Sequence, residues 1–151
     1  YADSQETVGV SPEMFGEFIF PYYKKVTKRY GLTVYGCCEP VHPFWDEYIS
    51  TLSNLRKVSI SPWCDEEFIG ERLRGKPVIY QRKPSPNFVG VGKTLDEDAF
   101  RQYIGHTIDC ARGCRLEFTF RDVYTLEGEL GKPRRAVEIV REEIENRWKG
   151  Y

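Results

Sequence analysis

One unit recurs four times along the chain and limits the folds open to it: a short β-prone run, a polar loop, then a stretch with helical periodicity. The runs are Leu32 to Tyr35, Lys57 to Ile60, Pro77 to Tyr80 and Leu116 to Phe120. The helices that follow are predicted over Pro43 to Leu52, Glu66 to Leu73, Leu95 to Ala111 and Pro133 to Trp148. Strands alternating with helices build a parallel sheet, because parallel neighbours need a long crossover and a helix supplies it. One more helix precedes the first unit. Ser11 can cap it, Pro12 suits its first turn, and Met14, Phe15, Phe18, Ile19, Tyr22 and Val26 form a face predicted to be buried. Pro21 should bend this helix without ending it, and Gly31 closes it.

Two α/β closures accommodate the pattern. A small doubly wound parallel sheet would be complete at 151 residues, whereas a (β/α)8 TIM-type barrel typically needs about 250, which would make this its carboxyl-terminal half. The chemically rich loops CCEPVH, SPWCD, QRKPS and RDVYTLEGE all follow strands, while the turns into strands at Arg74–Gly75 and Arg112–Gly113 are short. That asymmetry places functional groups at the carboxyl end of the sheet in either fold and suits the half-barrel slightly better. The chain opens at Tyr1 as though in mid-fold, so 1–151 is expected to be one α/β domain and a fragment of a longer barrel. Such a fragment would leave uncovered an inner face lined by apolar side chains such as Val34, Val58, Ile60, Val78 and Phe118 or their neighbours, and homo-oligomers of the fragment are expected.

Charge narrows the partners. Lys plus Arg number 22 against 23 Asp plus Glu, so no positive field draws the chain to nucleic acid and charge points to no partner; the expectation of a small-molecule substrate rests on the loop residues instead. No apolar run approaches the roughly 20 residues of a membrane span, and no signal-peptide pattern opens the chain. Five cysteines, an odd number, fit reduced thiols in the cytoplasm better than a disulfide framework.

Residues 35–45 read YGCCEPVHPFW. Cys37, Cys38, Glu39 and His42 carry metal-ligand chemistry, and Cys64 after the next strand could join them, although zinc-finger spacing is absent. The competing reading turns one cysteine inward as a small apolar residue. Cys110 and Cys114 flank a helix end and read as packing residues, and His106 as a helix-surface or packing residue. Arg82 and Lys83 could hold a carboxylate or phosphate. The VGVGKT string lacks a phosphate loop's first glycine, since Asn87 stands there. Arg121 and Asp122 could orient a substrate while Tyr124 or Glu127 moves protons; a structural salt bridge is the plain alternative.

The order of these segments resembles the uroporphyrinogen decarboxylase superfamily. The stretch ADSQETVGVSPEMFGEFIFPYYKKV is similar to its strand-end acid followed by an SPE.F..F..PY.K helix, YGCCE to its next strand, and GKPRRAVEIVREE to its last helix. The superfamily includes methylcobalamin:coenzyme M methyltransferases, which bind zinc through His-x-Cys at this strand end and a second cysteine after the last strand. Here the first motif is Tyr35-Gly36-Cys37, and the loop after Phe120 holds neither a cysteine nor the histidine of the decarboxylase branch. The resemblance implies a corrinoid-linked methyltransferase, with zinc and with corrinoid supplied by a partner protein, acting on a thiol or corrinoid-protein methyl acceptor. Its alternatives are a metal-free decarboxylase-like lyase using Arg82 or Arg121 on substrate carboxylates, and a non-catalytic module that binds a corrinoid protein or tetrapyrrole. The isolated fragment is expected to be inactive. Cys37, Glu39, Arg82, Asp122 and Tyr124 are the expected catalytic residues, His42, Trp63, Arg121 and Glu127 the substrate-binding residues, and Cys37 and Cys64 the metal ligands.

Overall fold

The computed structural model describes residues 1–3, 5 and 7–148. Helix α1 (Pro12–Met14) starts where Ser11 Oγ accepts the Met14 amide at 3.2 Å. It runs into a π-helical turn (Phe15–Ile19), closed by the Phe20 N–H on the Phe15 carbonyl, and then into α2 (Phe20–Thr27). The chain therefore passes Pro21 without stopping. The π turn also corrects the expected buried face. It takes in one extra residue, so Phe15 and Phe20, five apart, are buried together, while Met14, Phe18, Tyr22 and Val26 stand exposed.

Strands β1 (Thr33–Tyr35), β2 (Leu55–Ile60), β3 (Ile79–Arg82) and β4 (Arg115–Phe118) form one all-parallel sheet in the order β1-β2-β3-β4. Ala2 bridges to Tyr35 in the same parallel sense on the free side of β1. Helices α3 (Glu66–Leu73), α4 (Asn87–Gly90), α5 (Glu97–Cys110) and α6 (Gly131–Arg147) complete the described chain. The segment predicted as a helix over Pro43 to Leu52 is instead two 3-10 turns, His42–Phe44 and Ile49–Thr51. Its aromatic residues take their path from tertiary packing: Phe44 stacks on Phe15 at 4.3 Å, and Tyr48 meets Phe15 and Phe20 at 5.6 and 5.4 Å.

Register decides which side chains share a face. Val58 pairs with Tyr80 and Tyr80 with Leu116, and Ile60 pairs with Arg82 and Arg82 with Phe118, so these six point the same way. Ile69 and Leu73 of α3 pack with Val58, Ile60 and Tyr80. Phe100, Ile104 and Ile108 of α5 pack with Ala136, Ile139 and Val140 of α6, with Leu116 and Phe118 against them. The opposite face is polar: Lys57 Nζ reaches Glu117 at 2.7 Å, and Gln81 Nε2 donates to Glu117 at 2.7 Å and to Thr119 at 3.2 Å. The expectation of an uncovered face carrying Val58, Ile60 and Phe118 is thus corrected, because strand alternation turns these residues toward the helices. Among the described residues no helix is long and apolar enough to cross a membrane.

Candidate functional site

A parallel sheet delivers every post-strand loop to one edge. After β1 the chain turns at Gly36 (φ +95°), where a Cβ would stand 3.1 Å from Val41 Cγ1 and 3.3 Å from the Ser59 carbonyl oxygen. Cys37 follows, 1% exposed, and gathers the neighbouring loops around itself. Its carbonyl accepts Lys83 Nζ at 2.9 Å and Ser59 Oγ at 3.2 Å; its sulfur accepts Gln5 Nε2 at 3.2 Å and Arg121 Nη1 at 3.8 Å. Glu39, also buried, accepts the Thr7 amide at 2.7 Å and the Thr7 hydroxyl, which ties the amino-terminal loop over the end of β1.

Cys38 faces outward. Its sulfur lies 3.5 Å from that of Cys37 and donates to Asp122 Oδ2 at 3.6 Å. Burial first, then Cys37 and Asp122, pushes the Cys38 thiol up to about 11, so it is protonated at neutral pH. Cys38, Trp63, Lys83, Arg121 and Asp122 line a cleft of about 140 Å³. Trp63 is 73% exposed at its rim. Asp122 has φ +60°, a left-handed conformation that aspartate tolerates better than most residues, and with it Arg121 and Asp122 both line the cleft. The Lys83 ammonium is buried, and among the described residues it meets, besides Cys37, the Tyr1 hydroxyl at 3.3 Å and the Tyr1 ring. Among the described residues neither Lys83 nor Arg121 has a carboxylate at ion-pair distance.

Cys37, Trp63, Arg121 and Asp122 therefore meet at this cleft, Glu39 lies in the same loop but turns to Thr7, and the other expected site residues stand apart from the cleft. Arg82 is a correction: β3 extends two residues beyond the predicted Tyr80, so Arg82 alternates into the helix-covered core and pairs with Glu66 at 2.5 Å. Cys64 lies in the core with Val58 and Ile60, and burial pushes its thiol up to about 11. Tyr124 is 93% exposed and stands outside the cleft, as does Glu127, at φ +53° in a turn before Gly128. His42 Nδ1 accepts the Asp65 amide at 3.1 Å and ties the first 3-10 turn to α3. Lys83 and Cys38, read in sequence as an anion-holding and a metal-ligand candidate but not carried into the expected site set, both line the cleft. The available signal was alternation, since the residue after a core-facing Arg82 faces the other way.

The His42 tie carries a pH signature. Burial holds the ring below the usual histidine pKa, partly opposed by the charge of Asp65. The folded chain then binds fewer protons than the unfolded one, so this contribution is complete above about pH 6.5 and is lost as pH falls below it. Urea midpoints should decline from pH 7 to 5 in the wild type and decline less in His42→Gln, which keeps an acceptor that does not titrate. Parallel profiles would remove His42 as the cause.

Zinc bound through sulfur needs ligands at about 2.3 Å in a tetrahedron. Among the described residues Cys37 and Cys64 share no group of three ligand atoms lying within 4.8 Å of one another. The Arg121 guanidinium, 3.8 Å from Cys37 Sγ, also brings positive charge to where a cation would sit. These residues do not fit the metal. No family model matches the chain, and no curated protein or solved structure matches it either.

Proposed function

We propose that the chain is the carboxyl-terminal half of a uroporphyrinogen-decarboxylase-like barrel whose strand-end cleft binds a carboxylated small molecule for metal-free, decarboxylase-type chemistry. The strand order supports the architectural part. Doubly wound sheets reverse their order at a switch point, whereas β1-β2-β3-β4 runs without reversal. With right-handed crossovers, an unreversed order puts all helices on one side, in keeping with the one-sided packing of α3, α5 and α6.

One observation carries the chemical part: Lys83 and Arg121 line one cleft with no carboxylate at ion-pair distance among the described residues, the charge of Asp122 reaching Arg121 from further off. A guanidinium accepts a carboxylate in a two-bond fork and a lysine adds a point charge, so together they anchor one or two carboxylates. Trp63 supplies an apolar wall. When a carboxylate leaves as carbon dioxide, the carbon–carbon bond breaks and its electron pair stays on the substrate carbon. In this reading the Cys38 thiol, protonated at neutral pH, gives that carbon its proton, after which solvent reprotonates the sulfur.

Glutarate and its neutral diamide separate charge from shape. At matched ionic strength, glutarate should raise the melting temperature of the wild type in a concentration-dependent way, and the diamide should not. Arg121→Ala should abolish the response. Equal responses to both compounds, or a response that survives Arg121→Ala, would overturn the assignment. Stoichiometric zinc lost on Cys37→Ser would restore the zinc-dependent methyltransferase reading.

A further inference from the structure

A second constellation lies in the helix layer. His106 and Cys110 are four residues apart on α5, which puts their side chains on one face, and Cys110 Sγ stands 3.6 Å from His106 Nε2 and 3.9 Å from Nδ1. Glu67 reaches the same point from α3. All three ligand atoms lie within 4.8 Å of one another, and theirs is the group of that kind found among the described residues.

The approach of the two helices is built in. A Cβ on Gly70 would stand 2.1 Å from the Cys110 carbonyl oxygen, so only glycine allows α3 to come this close to α5 at that level. Gly70 follows Glu67 by three residues and is therefore its neighbour on the helix surface. The close crossing that brings Gly70 to Cys110 is the same one that brings the Glu67 carboxylate to the imidazole and thiol. Neither His106 nor Glu67 is buried, so an ion can reach the group from solvent.

We propose that Glu67, His106 and Cys110 form a surface site for a divalent transition metal of the zinc class, bridging α3 and α5. A thiolate, an imidazole and a carboxylate match zinc or cobalt and are a poor match for magnesium or calcium, which take oxygen ligands. Three protein ligands leave a tetrahedral ion one open position for water or an incoming ligand. The thiol and, where protonated, the imidazole give up their protons when they ligate, so binding strengthens as pH rises.

Cobalt(II) titration of the full chain tests the site. One equivalent should bind and give a thiolate-to-cobalt charge-transfer band that zinc abolishes. Cys110→Ser should remove the band. His106→Ala and Glu67→Gln should each weaken binding by at least about tenfold. A Cys37→Ser/Cys38→Ser double variant should bind as the wild type does, which separates this site from the strand-end cleft. Glu67 and His106 are exposed and Cys110 half-buried, whereas Cys37 is buried, so circular dichroism would verify that each variant, the double variant above all, is folded. No band in the wild type, a band that persists in Cys110→Ser, or one lost in the double variant would overturn the proposal.

Discussion

Arg82→Ala should cost about 3–5 kcal/mol of folding stability in urea denaturation, the usual penalty for removing one partner of a buried ion pair. Arg82 and Glu66 have side chains 1% and 6% exposed. The guanidinium also donates to the Ser61 carbonyl and the Tyr103 hydroxyl, while the second Glu66 oxygen accepts from Thr107 at 2.7 Å and Tyr80 at 3.2 Å. Truncating Arg82 leaves the Glu66 carboxylate inside an apolar layer without its counter-charge. Replacing both members by apolar residues removes the orphan, so Arg82→Met with Glu66→Met should recover most of the loss. Equal destabilisation in the single and double variants would mean that packing, and not charge, holds this part of the core. The same result bears on the proposed function, because it assigns Arg82 to the fold and leaves the proposed carboxylate binding to Lys83 and Arg121.

Gly70→Ala should reverse the usual sign of a helix substitution. In an exposed helix, alanine in place of glycine gains about 1 kcal/mol from backbone propensity alone. Here the added methyl meets the Cys110 carbonyl oxygen at 2.1 Å and its carbon at 2.9 Å, and both are backbone atoms that cannot swing aside. Helices α3 and α5 would have to part, which disturbs the Cys114 thiol bonded to the Gly70 carbonyl at 3.3 Å. Overpacking of this kind typically costs about 1–3 kcal/mol, and against rigid backbone the upper end is expected. A stabilised Gly70→Ala variant would show that the two helices separate freely, and the geometry argued for Glu67, His106 and Cys110 would fall with it.

The parallel sheet was legible because each strand-loop-helix unit carries its own pattern, and α3 matches its predicted span of Glu66 to Leu73. The π turn was not legible. Met14, Phe18, Tyr22 and Val26 form a regular stripe in sequence, and one extra residue in the turn rotates the buried face onto Phe15 and Phe20. The end of β3 was misjudged by two residues, an ordinary boundary error with a large consequence, since in a strand each residue's face depends on its register. It moved Arg82 from the expected site into the core and left Lys83 at the cleft. The loop residues Tyr124 and Glu127 show the opposite limit. Composition marked their loop as chemically rich, but their placement depends on the left-handed turns at Asp122 and Glu127, which no periodicity announces.

In the proposed site Lys83 is kept for a carboxylate that the described residues do not supply. Urea denaturation of Lys83→Met without ligand tests it most directly. A buried cation without a counter-charge among the described residues burdens the fold, and methionine fills a similar volume without charge. The Cys37 carbonyl would not be orphaned, because Ser59 Oγ still donates to it at 3.2 Å. Lys83→Met should therefore raise the urea midpoint, by the equivalent of about 1 kcal/mol or more, while glutarate no longer stabilises the protein. A lower midpoint would instead make the Lys83 ammonium a structural tie to Cys37 and not a site held open for an anion.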